Sequence, residues 1–184
     1  SYLSQKLQNS DMKDSIEFAL NKKEQVDLPK FHTVVSILPL VNFNVDLVKD
    51  VLAKTGEQYL YENIRIISKL AEYWITNYYP QKNIRVNEQK LTKYYESLDV
   101  KHKSWLKDFC ALINSNENAD RDQIMKEIYA ICFNEDQKIM KSNQRQLFIM
   151  IYQLALNTSS GPPLPFLIQA VSVKRLISLL EFDH

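Results

Sequence analysis

Residues 142–166 read "SNQRQLFIMIYQLALNTSSGPPLPF". From Ser142 to Leu156 the stretch starts polar and becomes apolar on nearly every face from Leu147 onward. A helix that is apolar all round is one against which other elements pack. This segment is therefore expected to be a central, buried helix. The residues that follow, 157–166, hold Gly161, one of the chain's two glycines, and Pro162, Pro163 and Pro165, three of its six prolines. Glycine and proline are the strongest local breakers of regular structure. A stiff loop is expected there, between helices.

Helical signals continue on both sides. Downstream, "FLIQAV" and "SVKRLISLLE" read as two short helical segments, with Ser172 a good N-cap for the second. Upstream, "DRDQIMKEIYAICF" carries Ile124, Met125, Ile128, Tyr129, Ile131 and Cys132. "DVKHKSWLKDFCALINS" carries Trp105, Leu106, Phe109, Leu112 and Ile113. "EQYLYENIRIISKLAEYWITNYYP" is the longest periodic run: Leu60, Ile64, Ile67, Leu70, Ala71, Trp74 and Tyr78 recur at three and four. Pro80 is expected to end it. "NVDLVKDVLAKTG" opens on the candidate N-cap Asn44 and closes on the candidate C′ residue Gly56. "KFHTVVSIL" is expected to stop at Pro39, and "DMKDSIEFALNKK" has acids early and lysines late, as the helix dipole prefers. No strand pattern and no fixed-period repeat is present. The chain reads as all-α, with a seam near Pro80 to Lys90. An N-terminal helical subdomain is expected over 1–80 and a C-terminal one over 81–184. "QKNIRVNEQK" reads as the connector.

The chain has 184 residues, 45% of them hydrophobic, ample for a core. A net charge of +1 argues against coating nucleic acid by bulk charge. Residues 136–184 carry Lys138, Lys141, Arg145, Lys174 and Arg175 against Asp136, Glu181 and Asp183. The C-terminal part is thus the best place for an anionic partner. Cys110 and Cys132 are far apart with no Cys-x-x-Cys spacing, which reads as two buried thiols in a reducing, cytoplasmic setting. No apolar run approaches a membrane span, and no secretory signal is seen. The first residue is Ser1 and not Met, so a piece of a longer protein is expected.

Catalytic patterns are missing. His32, His102 and His184 are scattered singles without metal-ligand spacing. Gly56 and Gly161 alone cannot build a phosphate loop. No nucleophile elbow or triad motif occurs. The residues read as a binding module and not a catalyst. Most aromatic residues, including Trp74, Tyr78, Trp105, Phe109, Tyr129 and Tyr152, sit on apolar stripes and are expected in the core. Phe31, Tyr79 and Phe166 sit beside prolines at helix ends and are the more exposed candidates for base stacking.

Residues 145–180 resemble the C-terminal end of class I lysyl-tRNA synthetases. The shared features are an "F-x-x-x-Y" helix core (Phe148, Tyr152), a Gly-Pro loop (Gly161-Pro162, then Leu164 and Phe166) and a final Leu179-Leu180. "DLPKFHTVVSIL" resembles the segment that opens the family's anticodon-binding region. "LAEYWITNYYP" resembles its "W-x-x-x-Y-x-P" helix end, and the matches keep the family's order over residues 15–181. The resemblance implies an all-α helix cage, related to the anticodon-binding region of glutamyl-tRNA synthetases. It implies a domain that reads the U-rich anticodon of lysine tRNA, while a catalytic domain outside this chain attaches lysine using ATP. The chain itself then needs no cofactor, is expected to be a monomer, and has lysine tRNA and its own catalytic domain as partners. "KIMKS", Lys138 to Ser142, shares letters with the KMSKS signature of class I synthetases, but no nucleotide-binding fold precedes it. It reads better as a basic helix start facing a phosphate.

The candidate contacts follow. Lys141 and Arg145 are expected on phosphate or base, and Arg65 is a second base reader. Pro162, Pro163, Leu164 and Phe166 are expected to form a base pocket. Lys174 and Arg175 are expected to support the RNA backbone. Where the family often has Arg after Gly-Pro, this chain has Pro163, so that contact would have to come from Arg145, Lys141 or Arg175. Two alternatives stand beside this reading: an α-helical protein-interaction domain, and a glutamyl-type anticodon-binding domain.

Overall fold

The computed structural model describes residues 27–116 and 120–182. The expected helix over "DMKDSIEFALNKK" lies outside them. The described residues form nine α-helices and two 3-10 turns, with no strand. In chain order these are α1 (Phe31–Ile37), a 3-10 turn (Leu38–Val41), α2 (Val45–Lys54), α3 (Tyr61–Asn77) and a 3-10 turn (Pro80–Lys82). There follow α4 (Thr92–Glu96), α5 (Val100–Ser115), α6 (Arg121–Ile131), α7 (Gln137–Leu156), α8 (Leu164–Val171) and α9 (Val173–Leu180).

Local chemistry sets the helix ends. Asn44 Oδ1 accepts from the amides of Asp46 (3.0 Å) and Leu47 (3.2 Å), satisfying two of the free donors that open α2. Asp120 and Asp136 do the same for α6 and α7, and Asp99 accepts from the His102 amide at the start of α5. At the far end of α2 Gly56 has φ +83°, donates to the Ala53 carbonyl, and lets the Glu57 amide reach back to Leu52. That pair of bonds is a Schellman ending, for which a left-handed residue is needed. The α-helix ends at Ile37, before Pro39, as expected; Pro39 then sits at the start of the 3-10 turn Leu38–Val41, where its missing N–H breaks no bond.

The buried side chains form two clusters. The N-terminal one holds Val34, Ile37, Val48, Leu52, Ile64, Ala71 and Ile75, from α1, α2 and α3. On α3 the middle of the apolar stripe is buried, but its end residues Leu60 and Tyr78 are 74% and 44% exposed. The C-terminal cluster is built around α7, whose Leu147, Ile151, Leu154 and Ala155 are fully buried, as expected of a central helix. Trp105, Phe109 and Ile113 of α5 and Leu176 and Leu180 of α9 close over it.

Two residues cross between the clusters. Phe166 of α8 is buried in the N-terminal one, and Leu40 joins the C-terminal one. Burying one such side chain contributes about 1.5–3 kcal/mol. Arg121 of α6 bridges the same seam: its guanidinium lies 5.1 Å from the Phe166 ring centre and pairs with Glu57 at 3.2 Å.

The connector is held at Asn87. Its amide donates to the Ala155 carbonyl at 2.8 Å, and its side-chain Nδ2 donates to the carbonyls of Leu154 (2.8 Å) and Gln153 (3.2 Å). These are among the last carbonyls of α7; those of Leu154 and Ala155 lie past the reach of the helix's own amides, and that of Gln153 also accepts from the C-cap amide of Asn157 at 2.9 Å. Asn157, left-handed at φ 54°, turns the chain off that end into the Gly-Pro loop.

Candidate nucleic-acid interface

The basic residues of α7 share one stripe. Lys138, Lys141 and Arg145 are spaced by three and four, so they project from one side of the helix. All three are exposed, and none takes part in an ion pair among the described residues. Lys138 and Lys141 lie in the first turns, where the helix dipole already presents positive charge. Asp136, which caps the helix through the amides of Lys138 (2.7 Å) and Ile139 (3.3 Å), and exposed Glu135 before it offset this in part. Cations placed against the dipole cost a little stability and concentrate positive potential. Such an arrangement suits an anion supplied from outside.

The stripe runs on into aromatic rings. Phe148 follows Arg145 by three residues, and Tyr129 of α6 stacks on it with ring centres 5.8 Å apart and planes at 24°. Tyr129 is 41% exposed, so it is not the core residue that its apolar stripe predicts. One turn further along α7, Tyr152 is buried and its hydroxyl donates to the Pro162 carbonyl at 2.5 Å. Burial, with the Tyr129 phenol beside it, pushes the Tyr152 hydroxyl up to about 12. The phenol is therefore a firm neutral donor at any physiological pH. Cations, a half-exposed aromatic pair and the Gly-Pro loop thus follow one another along a single helix face.

The loop is not the expected base pocket. Pro162, Leu164 and Phe166 are buried, and only Pro163 is exposed. Leu164 belongs to the C-terminal core and Phe166 to the N-terminal one, so neither side chain is free to sandwich a base. The reason lies in helix α8, which begins at Leu164: its first turn is apolar and spans both cores. Pro163 sits at the N-cap position of α8, where a residue without an N–H loses no helical bond. Phe31 and Tyr79, the other two exposed aromatic candidates, are on the surface at 38% and 42%. They flank half-buried Trp74, with ring centres at 5.8 Å and 4.1 Å.

The remaining basic candidates separate. Arg175 is a structural anchor: its guanidinium donates to the carbonyls of Asn87 (2.7 Å) and Glu88 (2.9 Å), tying α9 to the connector. Neighbouring Lys174 is exposed. Arg65 lies on α3, on the N-terminal core, and is engaged by Glu62 at 2.7 Å; that carboxylate also raises the pKa of the guanidinium. Arg65 is not part of the α7 stripe. Lys138, a base of the C-terminal part that is not among the candidate contacts, shares that stripe. The clue available was its spacing from Arg145.

Among the described residues no cluster of His, Cys, Asp and Glu could hold a metal ion. No single helix there is long and apolar enough to cross a membrane. No protein-family model matches the chain, and no curated protein matches it.

Proposed function

We propose that the chain is the anticodon-binding domain of a class I lysyl-tRNA synthetase, an α-helix cage that binds the anticodon stem-loop of lysine tRNA. The observation that carries this reading is the line of unpaired cations Lys138, Lys141 and Arg145 on one exposed face of α7. A phosphodiester strand is the natural partner of such a line, since each neutralised phosphate releases counterions. The ordered resemblance to the synthetase family supplies the identity of the strand. On this reading a catalytic domain outside this chain uses ATP to join lysine to the tRNA in the cytoplasm, and this chain contributes recognition alone, as a monomer with no cofactor of its own.

Arg145 and Lys141 contact the RNA, with Pro163 as the exposed edge of the loop. Lys174 is an outlying phosphate contact, and Arg175 acts indirectly by fixing α9. The test is binding of this chain to a lysine-tRNA anticodon stem-loop, against loops with substituted anticodon bases, at two salt concentrations. Tighter binding of the U-rich loop, weakened by salt and by substitution, supports the proposal. Preference for a glutamate anticodon would move it to the glutamyl-type domain. Equal, salt-independent or absent binding, also with the full-length protein, would leave the protein-interaction reading, for which Phe31, Tyr78 and Tyr79 offer an exposed aromatic patch.

A further inference from the structure

Tyr129 is an aromatic residue on the surface with no hydrogen bond among the described residues, held in place by a ring behind it. Phe148 backs it at 5.8 Å and 24°. Three features of its position bear on what it could meet. Phe148 lies about 4.5 Å along the helix axis from Arg145, on the same side. The next aromatic along α7, Tyr152, is locked to Pro162 and cannot move to cover it. The cations that precede it, Lys138, Lys141 and Arg145, have no carboxylate partner among the described residues.

An exposed ring over a rigid backing, at the end of a line of free cations, matches the two needs of an unpaired nucleotide. The base offers a π-face and the phosphates offer charge. A protein helix laid on the same face would meet Lys138, Lys141 and Arg145 with no matching apolar stripe between them. A membrane-surface helix would need a continuous exposed apolar face, and α7 exposes one large apolar side chain, Ile139, with Phe133 just beyond the end of α6.

We infer that Tyr129, backed by Phe148, is a stacking platform for an unpaired base of an RNA strand whose phosphates lie along Lys138, Lys141 and Arg145. This rests on the proposed RNA-binding role but adds a residue that neither the spacing nor the resemblance singles out. It also assigns separate tasks: the cations supply affinity for the backbone, and the ring supplies a preference for a strand that carries bases.

The experiment compares two probes of equal length and charge, an oligouridine RNA and the same backbone without bases, using wild type, Tyr129→Ala, Tyr129→Phe and Arg145→Ala. Wild type should bind oligouridine more tightly than the abasic strand. Tyr129→Ala should remove that advantage, about five- to one-hundred-fold, and leave abasic binding and its salt dependence unchanged. Tyr129→Phe should retain the advantage, which separates stacking from any role of the hydroxyl. Arg145→Ala should weaken both probes alike. Equal binding of the two probes by wild type, or an intact oligouridine advantage in Tyr129→Ala, overturns the platform. An intact anticodon preference on the stem-loop would then show that the synthetase reading survives without it. Loss of the anticodon preference with the oligouridine advantage intact would show the reverse.

Discussion

A methyl group added at Gly161 would lie 2.7 Å from two carbons of the Tyr152 ring and 3.1 Å from Leu156. The glycine is needed here for close approach and not for an unusual backbone angle. Tyr152 cannot swing away, because it is buried and its hydroxyl is committed to the Pro162 carbonyl, one residue beyond the glycine. The ring and the loop are thus fixed to each other from both sides. Gly161→Ala should destabilise the fold by about 1–3 kcal/mol, the usual cost of overpacking a tight site. A denaturant midpoint unchanged from wild type would show that the contact relaxes freely.

Arg145 and Arg175 are both exposed arginines of the C-terminal half, yet the structure gives them different work. Arg145→Ala should leave stability within about 0.5 kcal/mol of wild type, as for a surface residue without partners. It should weaken binding of the anticodon stem-loop and of loops with substituted anticodon bases alike, and lower the salt dependence by about one charge, as for a cation on a phosphate. Arg175→Ala should do the opposite. It removes two bonds to the connector carbonyls of Asn87 and Glu88, so the melting temperature falls while RNA affinity changes little. Paired thermal melts and titrations decide this. Equal RNA losses from the two variants would return Arg175 to the interface.

Two buried acids make the fold sensitive to alkali. Burial pushes the Cys110 thiol up to about 12, with the Glu181 carboxylate adding to the shift, and Tyr152 is raised to about 12 as well. In the unfolded chain these groups lose their protons near 8.5 and 10. Between those values and 12 the unfolded state therefore binds fewer protons than the folded one, and stability falls as pH rises. The protein should keep its full stability below about pH 8 and lose it progressively toward pH 12. Denaturant titrations at pH 7, 9 and 10.5 check this. Tyr152→Phe should flatten the steeper part above pH 10, at the cost of the bond to Pro162.

The elements were largely legible because their signals are local. Asn44, Gly56 and Ser172 act at helix ends through neighbouring amides, so a short window of sequence contains the whole cause. The apolar surround from Leu147 to Leu156 likewise marks a central helix without reference to any partner. What was not legible depends on contacts far apart in sequence. Asn87 looked like loop, yet it closes the end of α7 from 66 residues away. Phe166, beside a proline, looked exposed, and only the packing of α8 between two cores buries it. Tyr129 failed in the other direction: its stripe does face the core through Ile124 and Ile128, but Tyr129 lies at the edge of it, exposed beside Phe148. The stripe Lys138, Lys141 and Arg145 could be read from spacing. Its freedom from carboxylates could not, since a partner for any of them could have come from another helix.

Ser172 joins α8 to α9 with φ 74° and ψ 147°, a conformation that suits glycine and strains a residue with a side chain. The strain costs about 1–3 kcal/mol where neighbouring packing enforces it. What serine returns is small: its Oγ accepts from the Arg175 amide at 3.4 Å, a long bond. Replacing a capping serine by glycine normally costs a few tenths of a kcal/mol, and the added freedom of the unfolded chain about 0.5–1 kcal/mol more. Relief of the strain outweighs these losses. Ser172→Gly should therefore stabilise the protein by about 1 kcal/mol, whereas Ser172→Ala keeps the strain, loses the cap and should destabilise it by about 0.5–1 kcal/mol. The comparison of the two variants by chemical denaturation carries the information. If alanine proved equal to or better than glycine, the joint between α8 and α9 would not be held in the left-handed region. Arg175, in the first turn of α9 after Ser172, would then reach the connector from a different direction.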